Sequence, residues 1–381
     1  MTTPGGEPPL RLYDTARREV VDFVPGPIVT IYTCGITPYD SSHLGHAALY
    51  LSYDVLQRRL RDRGHETRCV RNVTDVDDDI LRKARELGVH YLDLAAAEMT
   101  KFDADMEALG VVPCWSEPRA TSAIADIRGF IGMVLDQGYA YESGGAVYFD
   151  VGSFPRFGQI SHLSRDEMLV LAAERGGNPD DPNKRDPLDF ILWQPSAEDE
   201  PAWESLWGPG RPGWHIECSA LALRELDTTI DLHGGGSDLV FPHHGCESAQ
   251  SEAATGQPFV RHWMHQAMVR MDGEKMSKSL GNLVFVHDLL EDYDARAIRL
   301  AVVAHHYRDS WEWNDALMPA AAARLERWLA VGAGDGALTE VRAALDDDLD
   351  TPAAVAAIDA AAADGSGVSE AAALLGVHLP A

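Results

Sequence analysis

Two short apolar segments joined by one helical segment constrain the fold of this chain more than any other feature. Residues 28–35, IVTIYTCG, are rich in β-branched side chains and end at a glycine, which predicts a buried strand. Residues from about 46 to 63 carry leucine and valine at helical spacing before Gly64. TRCVRNV, residues 67–73, predicts a second strand. A strand, a helix and a strand this close form a βαβ unit, so we predict an α/β fold with a parallel sheet.

Length and composition fit a globular protein of two or three domains. The chain has 381 residues, 45% of them apolar, which is enough to bury sizeable cores. Its apolar runs are shorter than the roughly 18 to 20 residues that span a membrane. The start, MTTPGGEPP, lacks the features of a signal peptide. Five scattered cysteines argue against a disulfide framework, so we expect a cytoplasmic protein without membrane contact.

The later segments differ from one another in composition. Residues 115–213 carry proline- and glycine-rich stretches such as ERGGNPDDPNKRDP and are predicted to be an insertion. Residues 229–242 return to a strand followed by a glycine loop, and a helix is predicted from about residue 243 to residue 254. Residues 316–381 are alanine-rich and predicted helical. The net charge of −28, without any Lys/Arg-rich run, counts mildly against an RNA partner.

Two short motifs carry groups that suit phosphate chemistry. HLGH, from His43 to His46, stands at the predicted start of a helix, where N–H groups and the dipole favour an anion. Two histidines three apart also occur by chance. KMSKS, from Lys275 to Ser279, gathers two lysines and two hydroxyls in a loop that can neutralise a leaving pyrophosphate. The alternative for this motif is a solvated basic turn.

A third constellation suits a metal ion. Cys34 ends the first strand, Cys218 lies in GRPGWHIECSA, and His243 and Glu247 are four residues apart on the predicted helix. Two thiolates, an imidazole and a carboxylate form a reasonable zinc shell. For any one of these cysteines alone, a buried small apolar side chain is the better explanation. The adjacent Cys246 is a weaker candidate ligand.

HLGH and KMSKS in this order resemble the signatures of class I aminoacyl-tRNA synthetases. CGITPYD, GRPGWHIECSA and GGGSDLVFPHH are similar to segments of cysteinyl-tRNA synthetase. They are closer still to its non-tRNA relatives, the mycothiol cysteine ligase family, as are CGITPYDSSHLGHA and AERGGNPDDP. The resemblance extends from about residue 10 to the end. It implies that L-cysteine is activated as its adenylate with ATP and Mg²⁺. The cysteine is then coupled to the amine of glucosaminyl-inositol as an amide, with release of AMP and pyrophosphate.

The resemblance also implies a domain order. The fold would be a class I synthetase Rossmann-type parallel sheet with an insertion, followed by a helical C-terminal domain. The predicted segments are a flexible tail (1–9), the first half of the catalytic domain (10–114), the connective insertion (115–213), the second half (214–262), the KMSKS-loop region (263–315) and the helical C-terminal domain (316–381).

Roles follow residue by residue from the same resemblance. One Zn²⁺ per chain is implied on Cys34, Cys218 and His243, while His43, His46, Lys275 and Lys278 are implied to serve the phosphates. The implied adenylate contacts are Cys34, Gly35, Ile36, Thr37, Asn72, Val73, Thr74, Trp214, Gly236, Ser237, Asp238, Val269, Lys275, Met276, Ser277, Lys278 and Ser279. Asp238 is the candidate for positioning or deprotonating the acceptor amine. A structural loop-capping role for Asp238 is equally open, and Trp214 is at least as well explained as core.

Two positions depart from the ligase pattern. Leu49 stands where the ligases are expected to have a threonine that contacts the adenylate. Glu247 stands where the tRNA synthetase has its fourth zinc ligand, and this feature points toward the synthetase. Zinc itself explains selection of cysteine over serine, because a thiol on Zn²⁺ ionises and binds tightly whereas a hydroxyl does not.

Three functions are therefore compatible with the sequence. The first is a ligase that uses L-cysteine, ATP and glucosaminyl-inositol. The second is a cysteine-activating enzyme with another acceptor, tRNA included, and the third is a non-catalytic relative. Intact HLGH, KMSKS and zinc residues disfavour the third. About 100 residues follow KMSKS, too few for an anticodon-reading domain, so we expect the ligase, acting as a monomer without tRNA.

Overall fold

The computed structural model describes residues 8–39, 42–276 and 280–380. In these ranges the strands are β1 (Leu10–Asp14), β2 (Glu19–Phe23), β3 (Ile28–Ile36), β4 (Glu66–Val73), β5 (Ala140–Ser143), β6 (Ala146–Phe149), β7 (Phe190–Gln194), β8 (Arg211–Pro212), β9 (Leu232–Gly236), β10 (Trp263–Gln266), β11 (Val269–Met271), β12 (Glu274–Lys275) and β13 (Trp311–Glu312). The helices are α1 (Leu44–Asp62), α2 (Asp78–Leu87), α3 (Tyr91–Ala108), α4 (Ile124–Asp136), α5 (Arg165–Glu174), α6 (Trp214–Leu226), α7 (Gly245–Thr255), α8 (Val286–Asp292), α9 (Ala295–Val303), α10 (Leu317–Val331), α11 (Leu338–Asp346), α12 (Thr351–Ala363) and α13 (Ser369–Leu374).

The central sheet is parallel, as predicted. Its strand order is β10–β9–β3–β4, and all three pairings are parallel. Helix α1 connects β3 to β4, so the predicted βαβ unit is present with its boundaries shifted by only one or two residues. The α/β fold class with a helical C-terminal part is confirmed.

Helix α1 forms because its apolar residues recur at helical spacing, and it buries that face in the main core. Leu51, Val55, Leu56 and Leu60 are fully buried on it, which at about 1.5 to 3 kcal/mol per side chain is a large share of its stabilisation. The helix begins behind His43, whose side chain accepts a hydrogen bond from the Gly45 N–H. The same burial therefore fixes the position of the HLGH motif at its N-terminus.

One buried ion pair joins α1 to the C-terminal part of the chain. The Arg299 guanidinium, on α9, donates to the Asp54 carboxylate on α1, and both side chains are almost fully buried. Arg299 also donates to the carbonyl oxygens of Leu375 at 2.5 Å and Leu109 at 3.0 Å. Arg299 thereby connects α1, the segment after α3, and the end of the described chain.

Helices α10 to α13 confirm the predicted helical C-terminal part. They share one continuous apolar core with β1, β3, α1 and α9, in which Trp328, Val341 and Ile358 are fully buried. This part is thus packed directly against the elements that carry the site. The predicted domain boundaries stay predictions, and the first seven residues of the predicted tail lie outside the described ranges.

Residues 115–213, the predicted insertion, contain a small antiparallel sheet with strand order β5–β6–β7–β8 together with α4 and α5. Its Phe149, Leu192 and Trp193 are fully buried in a second apolar cluster, which also includes Ile216 of α6 and Phe241. The insertion therefore packs against the elements that follow it in the chain. Among the described residues no helix combines the length and apolar character needed to cross a membrane.

Candidate active site

The strand order places the candidate site at a crevice of the sheet. Strand β4 pairs with one edge of β3, and β9 pairs with the opposite edge, with β10 beyond β9. The direction in which the sheet is extended therefore reverses between β3 and β9. Ligands bind at such a switch point, beyond the carboxyl ends of the strands. Cys34 lies near the carboxyl end of β3 and Gly236 ends β9. A cavity of about 800 Å³ lies at this edge and is lined by both residues.

Cys34, Cys218, His243 and Glu247 come together as the sequence predicted. One ligand atom from each lies within 4.8 Å of every other, and all four residues are buried. Cys218 is on α6, where burial of Ile216 and Leu221 in the second core fixes the orientation of the helix. Two sulfurs, an imidazole nitrogen and a carboxylate oxygen are a donor set that suits tetrahedral Zn²⁺. The described side chains thus fit this metal ion.

The helix that carries Glu247 begins later than predicted. The regular helix α7 starts at Gly245, and the preceding turn, Val240–His244, is interrupted by the extended backbone of Phe241. His243 therefore lies before the helix rather than in it. Its Nε2 still lies 3.1 Å from Glu247 Oε1, so the predicted pairing of the two side chains is present, and the regular helix starts within two residues of the predicted position.

The charges within this cluster support one another. Burial alone raises the pKa of the Cys218 thiol, but hydrogen bonds from Cys34 and His243 outweigh it and lower that pKa to about 6. Burial opposes protonation of His243, yet the nearby charges of Glu247 and Cys218 raise its pKa to about 10. His233 and His243 hold the pKa of Glu247 below its usual range despite burial. These shifts favour a Cys218 thiolate and a Glu247 carboxylate, the forms that bind a metal ion, whereas His243 must lose its proton before its ring nitrogen can bind one.

Further histidines surround the cluster, and two of them, His233 and His265, were not predicted from the sequence. His233 Nε2 lies 3.1 Å from Glu247 Oε2. His244 Nε2 lies 3.2 Å from Cys34 Sγ, and its Nδ1 lies 2.7 Å from His265 Nε2. Such partners orient the groups that bind a metal. His233 and His265 belong to β9 and β10, so only the strand order brings them here.

His43, Gly45 and His46 of the HLGH motif line the same cavity. The rings of His43 and His46 stack with centroids 3.9 Å apart. A Cβ on Gly45 would lie 2.8 Å from the His43 ring, so a larger residue at this position would displace that ring. Leu49 lies one turn further along α1 and lines the same cavity. Since its side chain is aliphatic, Leu49 offers packing and not the hydrogen bond expected from threonine.

Only the start of KMSKS lies in the described residues. Lys275 is in β12, and Met276 is buried with its N–H donating to the Val269 carbonyl oxygen at 3.0 Å. Val269 is itself buried in β11. Lys275, Met276 and Val269 all line the cavity. The predicted roles of Ser277, Lys278 and Ser279 fall outside the described residues.

Gly35 and Asn72 hold the two strands together at the base of the cavity. The Gly35 N–H donates to Asn72 Oδ1 at 2.8 Å, and Asn72 Nδ2 donates to Thr74 Oγ1 at 3.1 Å. Thr37 Oγ1 donates to Asp77 Oδ2 at 3.1 Å. Asp77, which the sequence did not single out, lines the cavity, and burial raises its pKa to about 6.

Trp214 and Asp238 belong to different elements but line one cavity. The Trp214 and His243 rings have centroids 4.4 Å apart. Asp238 follows β9 in a short turn, and its backbone carbonyl accepts a hydrogen bond from Arg175 of the insertion. Trp214 and Asp238 both line the cavity, so both have access to a ligand there.

Most predicted site residues thus meet in one place. Those that line the cavity are Cys34, Gly35, Ile36, Thr37, His43, His46, Asn72, Thr74, Trp214, Cys218, Gly236, Asp238, His243, Val269, Lys275 and Met276. Val73, Ser237 and Glu247 are adjacent in sequence or in space but are not part of the lining. Which of these residues contact a ligand stays a prediction.

The insertion contributes a wall that the sequence did not predict. Glu174, Asn178 and Lys184 line the cavity together with Arg175. The ERGGN segment was recognised as similar to the ligases, but nothing in its composition indicated that it faces the other site residues. Packing of α5 beside the Val240–His244 turn brings this segment to the cavity.

Comparisons with known proteins agree with the predicted fold and family. A profile of the family described as "tRNA synthetases class I (C) catalytic domain" matches residues 21–323. A Nocardiopsis dassonvillei protein named L-cysteine:1D-myo-inositol 2-amino-2-deoxy-α-D-glucopyranoside ligase is 51% identical over 94% of this chain and 89% of its own length. A protein of the same name from Nakamurella multipartita is 48% identical over 99% of this chain and 97% of its own.

Solved structures show the same fold at low sequence identity. Mycobacterium tuberculosis methionyl-tRNA synthetase in complex with methionyl-adenylate superposes with a TM-score of 0.68 at 18% identity, over 88% of this chain and 82% of that one. Agrobacterium radiobacter K84 leucyl-tRNA synthetase gives a TM-score of 0.62 at 12% identity, over 92% and 83% of the two chains. These likenesses concern the fold alone.

Proposed function

Since the chain belongs to the class I (C) tRNA synthetase catalytic-domain family and, within it, to the L-cysteine:1D-myo-inositol 2-amino-2-deoxy-α-D-glucopyranoside ligases, we propose that this ligase joins L-cysteine to glucosaminyl-inositol at the expense of ATP. The observation that carries the proposal is the meeting of two groups on one cavity. Cys34, Cys218 and His243 suit a thiol-binding metal, and His43 and His46 suit phosphate.

Recognition of cysteine is assigned to the buried cluster. Cys34, Cys218 and His243, with Glu247 as a fourth, would hold Zn²⁺, which supplies affinity for a thiolate and so separates cysteine from serine. His233 and His244 contact Glu247 and Cys34 and keep these side chains oriented. Burial of all these groups excludes water and strengthens their mutual interactions.

In the first half-reaction, a carboxylate oxygen of cysteine attacks the α-phosphorus of ATP. The bond from that phosphorus to the bridging oxygen of pyrophosphate breaks, which leaves cysteinyl adenylate. His43 and His46, at the N-terminus of α1, donate to the phosphates, and Lys275 with Lys278 balances the negative charge that develops. ATP is bound with Mg²⁺ in this proposal, as is usual for a phosphoryl donor.

In the second half-reaction, the neutral amine of the acceptor attacks the carbonyl carbon of the mixed anhydride. The bond from that carbon to the AMP oxygen breaks, so an amide forms and AMP leaves. The amine loses one proton on the way, and the Asp238 carboxylate is assigned to accept it or to orient the amine. Trp214, on the same cavity, confines the cysteine side of the intermediate.

An acceptor panel tests this proposal. Purified protein is incubated with ATP, cysteine and one acceptor, either glucosaminyl-inositol, glucosamine or cysteine tRNA, and AMP release and product mass are measured. We expect an amide of cysteine with glucosaminyl-inositol and no charged tRNA. A protein that charges tRNA and leaves the amino sugar unchanged would refute the proposed acceptor.

Charging of cysteine tRNA is the second candidate function, and Glu247 is the feature that favours it. One carboxylate oxygen of Glu247 lies within 4.8 Å of the donor atoms of Cys34, Cys218 and His243. In the sequence resemblance, this position corresponds to the fourth zinc ligand of the tRNA synthetase. Glu247 would change the set of metal ligands and not the surface that selects the acceptor. Its presence is therefore compatible with both the ligase and the tRNA-charging function. The acceptor panel separates them directly.

The proposal also covers the partners, the compartment and the oligomeric state. The partners are small molecules, and the protein acts in the cytoplasm as a monomer. None of the five cysteines forms a disulfide in the described structure, which suits a reducing compartment.

A further inference from the structure

The insertion lines the cavity with polar groups that have no partner of their own among the described residues. Glu174 ends α5, and Asn178 and Lys184 follow in the next loop. All three line the cavity. In the described chain, the Glu174 carboxylate, the Asn178 amide and the Lys184 ammonium form no hydrogen bond or salt bridge within the protein. A carboxylate, an amide and an ammonium group are therefore available to a ligand.

Their neighbours in the same segment have structural partners instead. The Asp189 carboxylate accepts from Tyr141 Oη at 2.6 Å and from the Val151 N–H at 2.9 Å. Arg175 donates to the backbone carbonyl oxygens of Asp238 and Phe241. Asp189 and Arg175 line the cavity, as do Glu174, Asn178 and Lys184. Asp189 and Arg175 are engaged by hydrogen bonds within the described part of the protein, whereas the side chains of the other three are not.

Arg175 fixes where this wall stands relative to the chemistry. Its guanidinium holds the loop that carries Asp238, the group assigned to the acceptor amine. The two glycines that follow allow the turn, since Gly176 has φ +86° and a Cβ on Gly177 would lie 2.7 Å from the Ala172 carbonyl oxygen. A ligand held by Glu174, Asn178 and Lys184 is thereby kept next to the Asp238 loop.

We propose that Glu174, Asn178 and Lys184 form the acceptor subsite and that it takes a polyhydroxylated primary amine; this inference rests on the proposed function. Glu174 accepts from hydroxyl or ammonium groups, Lys184 donates to hydroxyl oxygens, and Asn178 does both. Such a mixed set matches a sugar that carries an amine. A phosphate chain matches it poorly, because Glu174 repels anions. The phosphates are instead assigned to His43 and His46, which also line the cavity.

The test compares the two half-reactions in Glu174→Ala, Asn178→Ala and Lys184→Met. Adenylate formation is followed by cysteine-dependent pyrophosphate exchange, and transfer by AMP release against glucosaminyl-inositol concentration. The Glu174 and Lys184 variants should raise the acceptor KM by about 10- to 100-fold, as expected for loss of a hydrogen bond to a charged group, and the Asn178 variant by about 2- to 10-fold, as expected for a neutral amide. The exchange rate, the KM values for ATP and cysteine, and the zinc content should stay at wild-type values.

Asp166→Asn is the matched control, because Asp166 is exposed on the same helix α5 but does not line the cavity. It should behave as wild type in both assays, and thermal unfolding of all variants should be unchanged. Wild-type acceptor KM values in all three cavity variants would overturn the subsite while leaving the proposed function intact. An equal loss of exchange and transfer would also overturn it, since the wall would then serve ATP or cysteine. A wild-type protein without exchange or amide formation would instead refute the proposed function.

Discussion

Replacement of Gly35 by alanine tests whether the contact between β3 and β4 sets the geometry of the site. A Cβ at this position would lie 1.5 Å from the Asn72 carbonyl oxygen and 2.6 Å from its carbon, both backbone atoms. Side chains in proteins keep at least about 3 Å from such atoms, so the strands must separate by about 1.5 Å at this point. That movement also breaks the 2.8 Å hydrogen bond from the Gly35 N–H to Asn72 Oδ1.

The expected cost follows from these two effects. Overpacking of a buried site costs about 1 to 3 kcal/mol, and a buried hydrogen bond left unmade costs about 1 to 3 kcal/mol more. Thermal unfolding should therefore shift down by several degrees. A displacement of about 1 Å in a reacting geometry lowers the rate by about 100-fold, so pyrophosphate exchange should fall at least that far.

Gly26→Ala is the control, because a Cβ there meets only the Ile28 carbonyl oxygen, at an ordinary 3.8 Å. It should leave both unfolding and exchange unchanged. If Gly35→Ala retained exchange within about threefold of wild type, the close approach of the two strands would not matter for adenylate formation, and the reasoning would fail.

Three further predictions concern the metal, the loop and pH. Cys218→Ser should lose zinc in elemental analysis together with cysteine-dependent exchange; full zinc and full activity would remove Cys218 from the ligand set. Lys278→Ala should slow exchange about 100- to 1,000-fold with normal zinc, because its charge acts mainly in the transition state; unchanged exchange would exclude the lysine from the mechanism. Burial raises the pKa of Asp77 from 3.8 to about 6, so its contribution favours the folded state below pH 4 and is lost as pH rises to 6, by at most about 3 kcal/mol. Asp77→Asn should remove that part of the pH dependence of the unfolding free energy, and an unaltered profile would contradict the raised pKa.

The local parts of the fold were predictable because their signals are local. β3, α1 and β4 follow one another within the first quarter of the chain, and each has a clear pattern of apolar residues. The regular helix α7 starts about two residues later than predicted for an equally local reason. The extended backbone at Phe241 separates the His243 turn from the regular helix, and a pattern of polar residues carries no sign of that break.

A site residue was predictable from the sequence only where it belongs to a recognisable motif. The sequence separates Cys34, Cys218 and His243 widely, and resemblance rather than spacing grouped them. His233 and His265 escaped prediction because only the strand order places β9 and β10 beside Cys34. Glu174, Asn178 and Lys184 escaped it because packing of one part of the chain on another decides which polar side chains of a loop face a cavity.

The ion pair between Asp54 and Arg299 has a consequence for the order of events during synthesis. The two residues are 245 positions apart, so at the usual 5 to 20 residues per second the ribosome needs roughly 10 to 50 s to add Arg299 after Asp54. Until then helix α1 would bury the Asp54 carboxylate without Arg299, its most buried cationic partner. Helix α1, which carries the HLGH motif at its N-terminus, therefore reaches its final packing only after more than three quarters of the chain has been synthesised.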